Sequence, residues 1–281
     1  MQKRILCIQD LSCVGRCSLA AVLPVLCACG HMACGLPTAL LSTHTGGFGT
    51  PARAGQTAFC GEALAHYARL GLAFDGVYSG YLADDGQAAL VRGAFAQNPG
   101  AFKLTDPVLG DGGKAYRFVT PALVEAMRAL CAEADLITPN WTESALLLGL
   151  GADEAPRPQA EIEARALALA KNFGADVVLT GAALPDGRRA NVCARGGAAQ
   201  VLPYLPVEGQ WPGTGDLFAA VVLGRLLLGC ALESAVHTAA AFVRAAVQSA
   251  ADAGTPARFG VPFELHLPAL AKGDGLLWHS P

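Results

Sequence analysis

The chain has 281 residues, a formal net charge of −3 at pH 7, a pI near 6.1 and a mean hydropathy of +0.38. A slightly acidic balance with no basic stripe excludes a nucleic-acid surface built on counterion release, so any anionic ligand must be met locally. Although 53% of residues are hydrophobic, no run of about 18 apolar residues is free of charge, which excludes a membrane span. The longest such stretch, Leu217 to Leu232, contains Arg225 and reads as a buried helix.

This length suits one α/β domain with a sizeable core. The polar stretch Gly151 to Gln159 is too short for a linker, and apolar periodicity resumes on both sides. At the N-terminus, Asp10 and Arg16 interrupt what would otherwise imitate a signal peptide, so a cytoplasmic protein is expected. Seven of the ten cysteines fall within the first sixty residues, but no CxxC pair is present. Small apolar filler in a reducing compartment is therefore expected over a metal or disulfide framework.

Strand one is expected at Arg4 to Gln9, then a helix from Ser18, read as its N-cap, to Cys29. A strand near Pro37 to Ser42, a helix near Thr57 to Leu70, a strand at Gly76 to Ser79 and a helix near Asp84 to Phe95 follow. The strand Phe102 to Asp106 runs into the loop DPVLGDGGKAY, and Thr120 and Pro121 open a helix reaching Ala132. Next come a strand at Asp135 to Thr138, the segment PNWTESALLLG, a strand at Asp176 to Thr180 and a hairpin through Pro185, Asp186 and Gly187 to Ala190–Cys193. Helices from about Leu217 and Leu232 close the chain. Strands alternating with helices predict a doubly wound, mostly parallel sheet in a three-layer α/β/α fold.

Ligands of such sheets bind beyond the carboxyl ends of the strands. The residues placed there are Asp10, then Thr43, His44 and Thr45, then Gly80 and Tyr81, then Asp106, then Asn140 and Glu143, then Thr180. Polar and acidic groups recur along one edge.

The sharpest signal is WPGTGDLFAA at Trp211 to Ala220. Gly213 and Gly215 allow a tight turn whose amides, from Gly213 through Thr214 to Asp216, converge at the positive end of a helix, where a phosphoryl group could sit. Asp216 beside that nest is placed to take a proton from an attacking hydroxyl. The plainer alternative is that Asp216 caps the helix starting near Leu217.

Asp106, Asp111 and Glu143 are loop carboxylates of the kind that hold magnesium on nucleotide phosphates, although Asp106 also suits a turn before Pro107 and Glu143 a helix first turn. Lys114 lies in GDGGKAY, which lacks Walker spacing and reads as a flexible lid over Asp111 to Tyr116. With no strand-following GxGxxG, a dinucleotide oxidoreductase is poorly supported. His44 could touch a small substrate or satisfy its loop, and the other five histidines are expected to be structural or exposed. Tyr81 could stack on a planar ring or serve as core.

ILCIQD near the start, THTG at Thr43 to Gly46, SGYL at Ser79 to Leu82, DPVLGD at Asp106 to Asp111, TPNWTE at Thr138 to Glu143 and GTGD at Gly213 to Asp216 occur in order. Together they resemble the pyridoxal kinases of the ribokinase-like superfamily, over residues 4 to about 260. GTGD and the DPV segment are also similar to hydroxymethylpyrimidine kinases.

The resemblance implies ATP-dependent phosphorylation of the 5′-hydroxymethyl group of pyridoxal, pyridoxine or pyridoxamine, with Asp216 as base and the Gly213–Gly215 backbone as anion hole. It also implies that Thr45 and Tyr81 line the pyridine pocket and that Asp106, Thr138 and Glu143 serve the cation. Asn140 and Thr180, with Thr214, would lie near the nucleotide. Magnesium, potassium and a homodimer are implied as well.

Many pyridoxal kinases follow the ILxIQ strand with a serine, where this chain has Asp10. An aspartate there resembles the pyrimidine and sugar kinases, and is expected to accept hydrogen bonds from ring or amino donors and favour pyridoxamine or pyridoxine. The alternatives are a hydroxymethylpyrimidine kinase and a non-catalytic protein that binds pyridoxal phosphate or nucleotide.

Overall fold

A computed structural model describes residues 2–271. In chain order the elements are β1 (Arg4–Ser12), α1 (Ser18–Ala28), β2 (Met32–Leu41), β3 (Arg53–Gly55), α2 (Thr57–Arg69), β4 (Gly76–Ser79), α3 (Asp85–Gln97) and β5 (Phe102–Thr105). They continue as β6 (Gly110–Asp111), β7 (Lys114–Ala115), α4 (Pro121–Cys131), β8 (Leu136–Ile137), α5 (Trp141–Leu148), α6 (Gln159–Phe173) and β9 (Asp176–Ala183). The last are β10 (Arg189–Arg195), β11 (Ala198–Tyr204), α7 (Thr214–Leu227), α8 (Leu232–Asp252) and α9 (Leu267–Ala271).

Nine strands form one sheet in the order β11-β10-β9-β8-β5-β4-β1-β2-β3. The six from β9 to β2 are mutually parallel, while β10 and β11 extend one edge and β3 the other by antiparallel pairing. Period-two alternation sends β1 side chains to two cores. Ile5 and Cys7 pack with α1, α7 and α8, while Leu6 and Ile8 pack with the helices α2 to α6.

Crossover handedness explains that division. From β1 the chain moves through α1 to β2 on one side, then returns through α2 to β4 on the other side and keeps that direction to β9. Right-handed crossovers running in opposite directions must place their helices on opposite faces. Thus α1 stands apart from α2 to α6 until α7 and α8 join it, and the sheet reverses direction between β1 and β4, where such sheets bind ligands.

Helices α1 and α7 then pack side by side in parallel. A Cβ on Gly213 would lie 1.9 Å from the Arg16 carbonyl oxygen, and one on Gly224 would lie 2.8 Å from Cys29 Sγ. Glycine therefore permits close approach at both ends of the contact, and both helix N-termini face the same sheet edge.

The expected elements are present, with several differences. Strand β2 begins at Met32 rather than near Pro37, because its N-terminal half pairs with β1 and only Ala39 to Leu41 face β3. Ser18 is not the N-cap of α1; Cys17 is, and Ser18 is the first helical residue. The loop read as a lid is the β6–β7 hairpin, tied to α5 by the Gly113 amide donating to Thr142 Oγ1 at 2.9 Å. The apolar stretch from Leu217 is broken between α7 and α8 near Gly229.

All ten cysteines are free and six are buried, in line with their reading as filler. Among the described residues no group of three or more His, Cys, Asp or Glu side chains could hold a metal ion, and no helix is long and apolar enough to cross a membrane.

Candidate active site

The site is built where the carboxyl ends of β1, β4, β5 and β8 meet the N-termini of α1 and α7. Helix α7 starts from Gly213 as N-cap, at φ 85°, with no side-chain cap. Thr214 Oγ1 donates back to the Trp211 carbonyl at 3.0 Å. Gly215 has open space where a Cβ would stand. Asp216, in the first turn, does not cap its own helix, which overturns the plainer sequence reading. Its Oδ2 instead accepts the Ser18 amide of α1 at 2.9 Å.

Two parallel helix N-termini thus bear on one carboxylate, and both favour negative charge there. Burial nevertheless pushes the Asp216 carboxyl up to about 8; the Ser18 amide opposes this, and Asp106 and Asp10 add to it.

Strand β1 runs past the expected Gln9 to Ser12, so Asp10 lies within it, at the irregularity in its pairing with β2 between Gln9 and Leu11, and is 3% exposed. Both of its oxygens have protein partners: Ser18 Oγ donates to Oδ1 at 2.5 Å and Ser12 Oγ to Oδ2 at 3.0 Å. Burial raises its carboxyl above the usual range, against the pull of these two hydroxyls. Ser18 therefore touches both Asp10 and Asp216. It is the only non-glycine described residue at positive φ, 50°. Sequence reasoning took Ser18 for a cap and missed this link, which joins positions 198 residues apart.

Asp106 follows β5, is 7% exposed and accepts from Thr138 Oγ1 at 2.9 Å. Burial pushes it up to about 7, with Thr138 opposing. Glu143 is held by a capping box at the start of α5: the Asn140 side chain accepts from the Glu143 amide at 2.8 Å and Glu143 Oε2 accepts from the Asn140 amide at 2.8 Å. Its Oε1 accepts the Leu109 amide at 3.2 Å. Burial and then Asp106 push Glu143 well above the usual range.

Two buried carboxylates, one of which raises the other, fit a divalent cation, which commonly takes one or two protein carboxylates beside phosphate and water oxygens. Asp111 stands apart, exposed on the hairpin.

The remaining expected residues divide. Asn140 spends both ends of its amide within the protein, Nδ2 donating to the Gly110 carbonyl at 2.8 Å. Thr180 pairs with Asn140 in a parallel bridge at the same edge. His44 is a strut rather than a free ligand group, its Nδ1 accepting from the Gly46 amide at 3.0 Å and its Nε2 meeting the Arg258 carbonyl at 2.7 Å. Thr45 is exposed beside it. Tyr81 is half-buried, and its carbonyl accepts from Thr38 Oγ1 at 2.8 Å. Lys114 is exposed on the hairpin.

Two tyrosines that sequence reasoning passed over belong to this edge. Among the described residues the buried Tyr78 hydroxyl on β4 has no hydrogen-bond partner, and burial followed by Asp106 and Asp216 pushes its phenol up. Tyr116 is 41% exposed after β7, and its phenol is pushed up by partial desolvation and by the carboxylates Glu143, Asp111, Asp216 and Asp106 around it. Only parity along β4 could have flagged Tyr78, two positions before Gly80 on the face of α1 and α7.

A family model described as phosphomethylpyrimidine kinase matches residues 23–259. A pyridoxal kinase from Rubrobacter xylanophilus is 35% identical over 187 residues, covering 61% of this chain and 61% of that relative's length. Pyridoxal kinase from Lactobacillus plantarum superposes with a TM-score of 0.89 at 33% identity, over 96% of this chain and 97% of the other. A Bacteroides thetaiotaomicron protein, described provisionally as a phosphomethylpyrimidine kinase and crystallised in a form with pyridoxal, gives 0.87 at 31% identity, over 96% of each chain.

Proposed function

The chain belongs to the phosphomethylpyrimidine kinase family and has the ribokinase-like fold, and from that premise we propose that it is an ATP-dependent kinase of the 5′-hydroxyl of a vitamin B6 vitamer. The observation that carries the reading is Asp216: an acid at two converging helix N-termini that leaves its own helix uncapped and faces Asp106 across the sheet reversal. The B6 substrate rests on the similarity to two pyridoxal kinases and to the protein crystallised with pyridoxal.

In this mechanism the substrate hydroxyl approaches the ionised form of Asp216, which prevails above about pH 8 in the free protein, and gives it the proton as the oxygen attacks the γ-phosphorus of ATP. The new O–P bond forms as the bond from the γ-phosphorus to the bridging oxygen breaks, and ADP leaves with that electron pair. The amides from Gly213 to Asp216 face the charge developing on the phosphoryl oxygens, and open space at Gly215 lets them approach closely. Asp106 and Glu143 would hold magnesium, with Thr138 orienting Asp106. When bound, the ion neutralises phosphate charge.

Tyr81 and Thr45 line the vitamer pocket, and Asn140, Thr180 and Thr214 frame the nucleotide side. Potassium and a homodimer complete the proposal.

The family model's own description favours one second reading, a hydroxymethylpyrimidine kinase. ATP consumption with magnesium and potassium, offering pyridoxal, pyridoxine, pyridoxamine and hydroxymethylpyrimidine at equal limiting concentration, separates the two. A B6 preference is expected. Turnover of the pyrimidine alone would install the second reading, and turnover of none would leave a binding protein. Sedimentation of the same sample reports the dimer.

A further inference from the structure

Asp10 is the least expected acid of the site, and its surroundings do not suit a ring contact. It is 3% exposed, and each carboxylate oxygen already accepts a serine hydroxyl. The shorter of those bonds ends on Ser18, whose own amide donates to Asp216. Ser18 holds a left-handed backbone conformation that residues with a Cβ avoid unless neighbours impose it, and such residues concentrate at functional sites. It is also the first residue of a helix whose N-cap, Cys17, makes no side-chain hydrogen bond. The first amide of α1 is therefore satisfied from another helix by Asp216.

We propose that Asp10 and Ser18 are a positioning pair: Asp10 grips the Ser18 hydroxyl and so fixes the left-handed turn that aims the Ser18 amide at Asp216. The pair acts through the base and touches no reacting atom. It rests on the reading of Asp216 as base and adds to it the device that keeps that carboxylate oriented and available for a proton.

An amide donated to a carboxylate favours its charged form, whereas burial disfavours it, so losing the amide would leave Asp216 protonated to higher pH. Other groups facing Asp216 are Asp106 after β5, Tyr78 on β4, Tyr116 after β7 and the buried Cys17 before α1. His44 lies near Asp10 and favours its charged form. Asp10 also raises Asp216, and both Asp10 and Cys17 feel the Ser18 hydroxyl, but they lose it alike in Ser18→Ala and Ser18→Gly, so the contrast between those variants isolates the backbone amide.

Two Ser18 variants separate hydroxyl from backbone. Ser18→Ala removes the hydroxyl and keeps the Cβ, so the turn relaxes and the amide turns away. Ser18→Gly removes the hydroxyl and tolerates positive φ, so the amide can stay. We expect Ser18→Ala to lower kcat roughly 10- to 100-fold, the size of a lost hydrogen bond to a charged group, with KM for ATP within about twofold. The acid limb of its kcat/KM profile should move up by about one pH unit, a shift worth roughly one such bond. Ser18→Gly should recover most of both. Asp10→Ala, which removes both acceptor oxygens, should lower kcat while the ranking of B6 vitamers stays as in the parent.

Wild-type kcat and acid limb in Ser18→Ala would overturn the pair, as would equal defects in the Ala and Gly variants. A changed vitamer ranking with unchanged kcat in Asp10→Ala would make Asp10 a ring contact instead. Asp216→Asn, measured alongside, isolates the underlying reading: if that variant turns over normally, the base itself is wrong, whereas an inactive Asp216→Asn beside a normal Ser18→Ala removes only the pair. Should Ser18→Ala fail to fold, judged by its melting transition, Asp10→Ala decides, and wild-type kcat there counts against the pair.

Discussion

Helices α5 and α7 enter the site from the same local sequence plan and use it in opposite ways. Thr138-Pro139-Asn140-Trp141-Thr142-Glu143 and Trp211-Pro212-Gly213-Thr214-Gly215-Asp216 each place a proline before the N-cap and an acid at the third helical position. In α5 the cap is Asn140, Glu143 is long enough to reach back to the Asn140 amide, and the box closes. In α7 the cap is Gly213, which has no side-chain acceptor, and Asp216 reaches across to α1. One acid anchors its own helix; the other is left facing the reaction edge. A side chain shorter by one methylene and a cap without a side chain mark the difference between an acid that closes its own helix start and one that reaches to a neighbouring helix.

The largest expected break in that comparison is Asp216→Asn. Asparagine keeps an oxygen for the Ser18 amide, so the melting temperature should hold within a degree or two while turnover falls by roughly 10² to 10⁴, the usual contribution of a general base. Unchanged turnover would remove Asp216 as the base and leave it only its tie to α1. Gly213→Ala comes next. Its new Cβ would meet the Arg16 carbonyl oxygen at 1.9 Å on a backbone at φ 85°, so the α1–α7 contact must open. A loss of about 3 kcal/mol or more in chemical denaturation is expected, within the range of severe single substitutions. A milder loss would show that the close approach is dispensable.

Ionisation sharpens the contrast further. Asp106 is pushed up to about 7 and Asp216 to about 8, so in the free protein both hold protons that the unfolded chain releases near 4. A carboxyl raised on folding stabilises fully below the unfolded value, and that contribution is lost as pH rises through the folded one. Thermal stability without ligands should therefore fall between about pH 4 and pH 8. Magnesium competes with those protons, so the rise in melting temperature it causes should be larger at pH 8 than at pH 6. Equal rises at both values would place the cation away from Asp106 and Glu143.

Much of this was legible in the sequence. The continuous apolar run Ile5 to Ile8 in β1 and the run at Gly76 to Ser79 located the central strands, and the polar residues following them located the edge. Other parts lacked a local signature. Strand β3 is three exposed residues, and β11 carries Pro203, which argues against a strand even though it sits on the sheet edge. Helix α6 begins after Pro158 with no side-chain cap, so nothing announced its start. In the site, GTGD and Asp106 could be found from spacing, but the Ser18 link could not, because it exists only once α1 and α7 have packed in parallel. His44 and Asn140 were picked out correctly as edge residues, yet only packing shows that their polar atoms are spent on backbone partners.

The smallest expected effect tests the structural half of the comparison. Asn140→Ala removes the acceptor of the Glu143 amide and the donor to the Gly110 carbonyl, but leaves the Asn140 backbone amide that Glu143 Oε2 accepts. Loss of an N-cap side chain costs about 1 kcal/mol, and that destabilisation should appear in chemical denaturation. Asp216 and its Ser18 amide are untouched, so kcat for the vitamer should stay within a few-fold. The hairpin β6–β7 loses one of its ties to α5, so any kinetic change should appear in KM for ATP. A fall in kcat comparable with that of Asp216→Asn would mean that the two helix starts are coupled, and that the capping box at α5 is as much a part of the chemistry as the open end of α7.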